Sequence, residues 1–319
     1  MKIIIPGGTG QVGTLLARAL HTQGHCVTVL GRDPKPVPWT TQAWDGRTLG
    51  RTLGAWAAEI DGADVVINLA GRSVNCRYTP RNRREILESR VNSTRVVGEA
   101  IARAAHPPRV WLQMSTATIY AHRYDAPNDE LTGILSGNEI DAPDTWRFSI
   151  DVAQAWERTV NEAFTPRTRK ILLRSAMVMS ADRGGVFDML LCLARCGLGG
   201  PVAGGRQFMS WIHARDFVHA MQWLIDDDSL CGPVNLASPN PLPQAEFMRA
   251  LRDAAGVRFG LPATRWMFEI GALALGTETE LILKSRRVVP GRLVERGFTF
   301  DFPEWPMAAR QLCAAGHAR

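Results

Sequence analysis

A doubly wound parallel α/β sheet carrying a smaller C-terminal substrate lobe is the fold this sequence predicts, and three observations predict it. Short apolar runs alternate with helical patterns across the first half of the 319-residue chain, as successive βαβ units require. The first run ends in a glycine-rich turn that opens a helix. Beyond residue 181 the texture changes to short pieces broken by Gly and Pro. A chain of this length buries roughly three quarters of its unfolded surface, so its core needs no disulfide or metal staple.

The elements follow in order. Lys2–Ile5 is a continuous apolar run and reads as the first strand. Val12, Leu15, Leu16 and Leu20 then recur at helical spacing, and Gly24 closes that helix. Cys26–Leu30 reads as the second strand, Gln42–Trp44 as a short third and Asp64–Leu69 as the fourth. A long helix follows with Leu87, Val91, Thr94, Val97 and Ile101 on one face, stopped by Pro107-Pro108. Val110–Met114 is the next strand, and the Pro/Gly/Asn/Asp-rich stretch 121–144 is a loop long enough to suspect function. A helix over about Ser149–Ala163 and a strand at Ile171–Leu173 complete the unit. We therefore expect a nucleotide-binding domain over 1–180 plus about 206–237, and a substrate lobe from about 181–205 and 238–319.

Composition narrows the class. No uninterrupted apolar stretch approaches the roughly 18 residues of a membrane span, and Lys2–Ile5 is too short for a signal peptide. A cytoplasmic protein that touches no membrane is expected. The net charge of +6 comes from 33 arginines and four lysines: Lys2, Lys35, Lys170 and Lys284. Nine arginines lie between Arg72 and Arg109, but without the aromatic interleaving of a nucleic-acid face. They read as a solvated basic helix, so no nucleic-acid partner is expected. The six cysteines form no C-x-x-C pair, and no metal site is expected.

Gly7-Gly8-Thr9-Gly10-Gln11-Val12-Gly13 sets glycines at 7, 10 and 13 between a predicted strand and a predicted helix. Chemically this is a pyrophosphate cradle, with Gly7 for the tight turn, Gly10 for close backbone approach and Gly13 for helix–strand packing. The motif makes the sheet Rossmann-type. An NAD site sets a carboxylate at the end of the second strand, but here the chain reads Val29-Leu30-Gly31-Arg32. A guanidinium there pairs with a ribose 2′-phosphate, so NADP(H) is the expected cofactor, with Asp33 next door as the rival at that place. Asp45, after the third strand, is a candidate acceptor for the adenine amino group.

Gly7–Gly13, then Asn68-Leu69-Ala70-Gly71, then Ser115-Thr116-Ala117-Thr118-Ile119-Tyr120 resemble the extended short-chain dehydrogenases/reductases. Longer strings narrow the likeness. They are Ser89-Arg90-Val91-Asn92, Trp156-Glu157, Gly197-Leu198-Gly199-Gly200-Pro201, Ser210-Trp211-Ile212-His213 and Arg287-Val288-Val289-Pro290. Over essentially its whole length the chain is similar to the atypical "epimerase family protein" group, with its C-terminal domain of unknown function. The resemblance implies a Rossmann core, NADP(H), and an unknown small carbonyl or alcohol substrate. It adds Leu69, Ala70, Gly71, Asn92 and Ser115 to the cofactor residues, and admits a homodimer through a helix pair.

The chemistry departs from that pattern. The superfamily uses a Tyr as acid/base and a Lys four residues later to lower its pKa. Counted back from Trp156-Glu157, those places hold Ser149 and Ala153, and no lysine lies between Lys35 and Lys170. Thr116 stands where the carbonyl-polarising Ser or Thr belongs, and Tyr120 is the nearest phenol; these two are the catalytic candidates. His122, Ser149 and Asp151 are weaker ones. A non-catalytic NADP(H)-binding sensor or scaffold is the alternative that the missing dyad favours.

Overall fold

A computed structural model describes residues 1–33, 36–49, 54–136, 143–267, 269 and 278–317. Strand β1 (Lys2–Pro6) leads into helix α1 (Gln11–Thr22), then β2 (Cys26–Gly31) and β3 (Thr40–Ala43). After the single turn α2 (Ala55–Ala58) come β4 (Val65–Asn68), the long α3 (Pro80–Arg103) and β5 (Val110–Thr116). Helix α4 (Asp144–Glu162) and β6 (Arg169–Ser175) follow. The rest of the chain runs through β7 (Met177–Met179), α5 (Val186–Arg195), β8 (Phe208–Met209), β9 (Trp211–His213) and α6 (Ala214–Asp226). Next are β10 (Gly232–Leu236), β11 (Leu242–Pro243) and α7 (Gln244–Ala254), then short helical turns at Glu280–Leu283 and Gly291–Glu295, and a last helix, Trp305–His317.

Seven strands form one sheet in the order β10-β6-β5-β4-β1-β2-β3, with every pairing parallel. Strand order reverses between β1 and β4, and such a switch point opens a crevice at the carboxyl ends of the strands. The central strands are buried on both faces, which is why they read as unbroken apolar runs. Alternation within β1 sends Ile3 and Ile5 to one face, with Leu16 and Leu20 of α1 and Phe217 and Leu224 of α6. Ile4 goes to the other, with Val97 and Ile101 of α3 and Val160 of α4. A third core, built by β7, β9, α5, α7 and the last helix, is separate. There Phe247 and Trp305 stack at 3.9 Å, and Trp211 meets Trp305 edge-on at 5.0 Å.

The element boundaries shift where tertiary contacts intervene. The third strand starts at Thr40 rather than Gln42 because it pairs with Thr28–Gly31; just past its end the Trp44 amide donates to Gly31 O (2.9 Å) and the Trp44 ring packs on Trp56 at 5.3 Å. α4 begins at Asp144, well before Ser149, with Pro143 at its N-cap and the acid in its first turn. On α3, Ile86, Thr94, Val97 and Ile101 are buried while Leu87 and Val91 are only half-buried. The helix is rotated because it packs on the sheet and on α4 together: Trp156 Nε1 donates to Thr94 Oγ1 at 3.0 Å. The loop after Tyr120 is pinned down, since Asn128 donates its amide to Arg287 O (2.6 Å) and its carbonyl accepts from Val289 (3.0 Å). Residues 137–142 of the expected loop lie outside the described ones.

His213 closes the N-terminus of α6: Nδ1 accepts the Arg215 amide at 3.1 Å, and Nε2 meets Gln311 Oε1 at 3.0 Å. Asp216 accepts the amides of Asp301 (2.7 Å) and Phe302 (3.0 Å), tying the last segment to α6. Among the described residues no helix is long and apolar enough to cross a membrane, and no group of His, Cys, Asp or Glu could hold a metal ion.

Two outcomes are expected. Burial pulls the His213 imidazole from 6.5 down to about 4. The unfolded chain therefore takes up this proton first as pH falls. The stability this ring supplies is full above pH 6.5 and is lost between 6.5 and about 4, about 3 kcal/mol over that window. His213→Asn keeps a capping acceptor and should flatten that limb of the stability–pH curve, measured by denaturant unfolding. In the first turn, a Cβ at Gly13 would stand 2.4 Å from Gly8 Cα. Gly13→Ala should therefore lower stability by about 2 kcal/mol even without ligand, read as a drop in melting temperature.

Candidate functional site

The crevice at the switch point is a cleft of about 1300 Å³. Its floor is the turn from β1 into α1. Gly7 takes φ +76° there, and its amide donates to Leu30 O at 2.8 Å. A Cβ on Gly7 would lie 2.4 Å from Ala70 Cα, so only glycine lets the turn touch the end of β4. Gly10 is different. A Cβ there would meet nothing within 4 Å, and this residue caps α1 without any side-chain hydrogen bond. Space is kept open over bare helix N–H groups, which suits a pyrophosphate. Thr9, Gln11, Val12 and Gly13 line the same floor, and Gln11 is held by a 3.3 Å bond from Nε2 to Asp182 O.

Arg32 and Asp45 stand at one end, together with Arg47, Thr48, Trp44 and Trp56. Arg32 is exposed, and among the described residues neither its guanidinium nor that of Arg47 has a hydrogen bond or ion pair. Asp45 is less free than its place in the sequence suggests. Its Oδ1 accepts the amides of Arg47 (2.8 Å) and Thr48 (3.0 Å), and its Oδ2 accepts Thr48 Oγ1 (2.8 Å). Burial pulls this carboxyl upward, but the donated amides outweigh it and hold it below the usual range. Asp45 thus shapes the turn that presents Arg47, a residue the sequence did not single out. Four arginines (Arg32, Arg47, Arg72 and Arg90) and one carboxylate line the cleft. A groove of that balance favours a polyanion.

Leu69, Ala70 and Gly71 form the wall beside the glycine turn. Buried Asn68 fixes them: its Oδ1 accepts the Ala70 amide at 3.1 Å, while its Nδ2 donates to Gln113 Oε1 at 2.9 Å. From α3 the residues that line the cleft are Ser89, Arg90 and Ser93. Asn92, expected here, does not line it. A helix turns about 100° per residue, and the turn that buries Ser93 and sets Arg90 on the cleft carries Asn92 off that wall.

The opposite end is formed by Met114, Ser115, Thr116, Ser175, Ala176 and Val178. Thr116 is half-buried, and its Oγ1 accepts the Thr118 amide at 3.1 Å, capping the short 3-10 turn Ala117–Ile119. Its hydroxyl proton is left for another acceptor. Ser115 donates to Glu157 Oε1 at 2.7 Å, and Glu157 is clamped by Arg174 through two bonds of 2.9 and 2.8 Å. Tyr120, the second catalytic candidate, is placed elsewhere. It is buried, donates its phenol proton to Asn235 Oδ1 at 2.9 Å and accepts from Arg174 Nη1 at 2.9 Å. It does not line the cleft. Burial pushes its phenol above the usual value against the pull of Arg174. With its proton committed and the cleft out of reach, Tyr120 is a structural member of the Arg174 network.

Of the weaker candidates, His122 Nδ1 accepts the Ser285 amide at 2.8 Å, and Asp151 is exposed. Ser149 donates to Glu280 Oε2 at 2.5 Å and shares a hydrogen bond with Tyr78. Ala153 is fully buried. No phenol and no lysine among the described residues lines the cleft. The signal for Arg90 and Trp156 lay in quoted strings to which the sequence attached no role.

The comparisons agree with this geometry. Residues 3–237 match the model of the NAD dependent epimerase/dehydratase family, and 265–312 match a domain of unknown function, DUF1731. The epimerase family protein SDR39U1 of Bos taurus is 30% identical over 98% of this chain and 100% of its own length. The epimerase family protein YfhF of Bacillus subtilis is 27% identical, with 98% of each chain covered. The crystal structure of human SDR39U1 (isoform 2) with NADPH superposes with a TM-score of 0.84 at 27% identity, over 98% of this chain and 99% of that one. By sequence over nearly its whole length and by fold, this chain belongs to the NAD dependent epimerase/dehydratase family of extended short-chain dehydrogenases/reductases, among the SDR39U1-like epimerase family proteins.

Proposed function

We propose that the protein is an NADP(H)-dependent oxidoreductase or epimerase acting on a small carbonyl or alcohol. One observation carries the cofactor choice: Arg32 and Arg47, whose guanidinium groups make no hydrogen bond or ion pair among the described residues, stand at the end of the cleft where an NAD site sets a carboxylate. The relative solved with NADPH supports the same reading. In it, the turn Gly7–Gly13 and the N-terminus of α1 hold the pyrophosphate, and the two arginines hold the 2′-phosphate. Leu69–Gly71 and Ser115 line the path to the nicotinamide. Asp45 acts by presenting Arg47.

When bound, the cofactor supplies or accepts a hydride at a carbon of the substrate. Thr116 donates a hydrogen bond from its hydroxyl to the substrate oxygen and keeps its proton, held in that orientation by the Thr118 amide. Met114, Ala176 and Val178 exclude water from that end. Tyr120 takes no part. Its bonds to Asn235 and Arg174 leave the acid/base role outside the pair Thr116–Tyr120. A second reading, a non-catalytic NADP(H)-binding sensor, is favoured by Ser149 and Ala153 in the places of the superfamily dyad.

Titration with NADPH and with NADH, followed by nucleotide fluorescence, tests the cofactor. NADPH should bind well ahead of NADH, and Arg32→Ala and Arg47→Ala should each weaken NADPH roughly tenfold while leaving NADH unchanged. A wild-type protein that binds neither nucleotide sinks the reading. With any substrate found in a panel of aldehydes and ketones, Thr116→Val should cut kcat roughly a hundredfold at unchanged NADPH affinity. Turnover equal to wild type removes Thr116 from the chemistry, and a panel without turnover in a protein that binds NADPH favours the sensor.

A further inference from the structure

Thr116 orients a substrate oxygen and Tyr120 is out of reach, so the chemistry still needs a group that gives and takes a proton. The C-terminal segment brings one to the Thr116 turn. Buried Lys284 donates from Nζ to Thr118 O at 2.8 Å, which seats the turn Glu280–Leu283 against the short helix that Thr116 caps. Glu280, one helical turn before Lys284, is 3% exposed. Its Oε2 accepts from Ser149 Oγ at 2.5 Å, and Ser149 in turn shares a hydrogen bond with the phenol of Tyr78. Its Oε1 accepts no hydrogen bond among the described residues. Arg286 Nη2 passes that oxygen at 3.9 Å and donates instead to the Glu280 main-chain carbonyl at 3.1 Å.

Three segments far apart in sequence meet here. Tyr78 precedes α3, Ser149 lies on α4 where the superfamily keeps its Tyr, and Glu280 lies within the C-terminal domain of residues 265–312. Glu278 staples them: Oε1 accepts the Tyr78 amide at 2.8 Å, and Oε2 pairs with Arg77 at 3.2 Å. The Phe148 ring meets the Tyr78 ring edge-on at 5.1 Å. Tyr78 and Ser149 are half-buried and Glu280 is closed off, so this chain of hydroxyls opens at its phenol end.

A buried carboxyl with one oxygen unbonded costs free energy that a purely structural ion pair would avoid. Burial pulls Glu280 upward, and Glu278 adds to it, against Arg286, Ser149 and Lys284. The Tyr78 phenol is pushed up to about 12, first by burial and then by Glu280. A free phenolate is therefore disfavoured near neutral pH, and Tyr78 can pass a proton only by gaining one as it gives one up. A carboxyl raised toward neutral pH is the partner such a relay needs at its inner end.

We propose that Tyr78, Ser149 and Glu280 form the acid/base relay of this protein, with Tyr78 the catalytic phenol at the substrate oxygen and Glu280 of the C-terminal domain the proton store. The inference rests on the oxidoreductase reading and fills the role that reading left open. The relay stands outside the lining of the cofactor cleft, beside the Thr116–Thr118 turn, and so seats the substrate between that turn and Tyr78. In alcohol oxidation the carbon's hydrogen leaves with its electron pair as hydride to the oxidised nicotinamide, and the C–O bond becomes C=O. The substrate's hydroxyl proton passes to Tyr78, that of Tyr78 to Ser149 and that of Ser149 to Glu280, which ends as the neutral acid. Carbonyl reduction runs the same transfers backwards.

Two measurements on the full chain test this. The first needs no substrate: the infrared carbonyl stretch of a neutral carboxylic acid, followed against pH. A band that Glu280→Gln removes should persist above the pH at which ordinary carboxyls ionise, and Ser149→Ala should shift it. A spectrum without any such band overturns the proposal. The second is turnover of the aldehyde and ketone panel with NADPH. Tyr78→Phe should cut kcat roughly a hundredfold at unchanged KM and NADPH affinity. Reduction draws its proton from neutral Glu280, so the wild-type rate should fall as pH rises through the Glu280 titration, and Glu280→Gln should lose that limb. Ser149→Ala should lose turnover and Ser149→Thr, which keeps the hydroxyl, should restore it. Tyr78→Phe and Ser149→Thr decide alone where Glu280→Gln does not fold. Tyr78→Phe with wild-type turnover overturns the relay and leaves the oxidoreductase reading standing. Losses of turnover that only track a fallen melting temperature or lost NADPH affinity give these residues a structural role and also overturn it. A chain that binds NADPH and turns over no member of the panel sinks the oxidoreductase reading and the relay with it.

Discussion

The close approach of three backbone segments sets everything else. The β1–α1 turn lies against the end of β4 at Gly7 and Ala70, and α1 lies against the turn itself at Gly13 and Gly8. No side chain fits between them. A cleft at a switch point exists in any doubly wound sheet, but its floor is a phosphate-sized cradle only because these contacts bring bare N–H groups to the surface. Gly10 marks the difference between the two jobs glycine does here: at Gly7 and Gly13 its absent Cβ makes room for protein, whereas at Gly10 it leaves the space free.

A second constraint organises the other end. Arg174 and Glu157 are buried together, and breaking such a pair costs on the order of 3–5 kcal/mol because the remaining charge is left without compensation. Their network runs outward from Ser115 in the cleft to Tyr120, then Asn235. Asn235 in turn donates its amide to Glu130 (2.7 Å) and its side chain to Val289 O (2.9 Å). One chain of hydrogen bonds thereby links the cleft wall, the loop after β5, the last sheet strand and the segment before Gly291. The side chains that look most catalytic by type, a phenol beside a guanidinium, are consumed in holding these parts together.

The electrostatics of the cleft sort its arginines by partner. Arg72 is neutralised by Glu85, and Arg32 and Arg47 sit in water, where an unpaired cation costs little. Arg90 alone among them is half-buried without a carboxylate, its guanidinium lying over the Trp156 ring. Charge count in the sequence treats all four alike, and the nine arginines between Arg72 and Arg109 read as one basic stretch. Depth separates them, and depth is a tertiary property.

Local signals therefore decided the parallel sheet and the glycine turn. Unbroken apolar runs, a glycine turn between strand and helix, and an Arg in place of a carboxylate after the second strand are all features of neighbouring residues, and they predict a doubly wound parallel sheet, while its strand order β10-β6-β5-β4-β1-β2-β3 belongs to the folded chain. The absence of lysine between Lys35 and Lys170 was equally legible, because it needs no geometry. Only the folded chain decided which side chains face the cleft. Asn92 and Tyr120 were misplaced because a helix position differs by 100° from the next and a strand end can turn inward, so a residue's neighbours in sequence do not fix what it touches. Arg47, Arg90 and Trp156 were passed over for the same reason: their meaning lies in partners far along the chain.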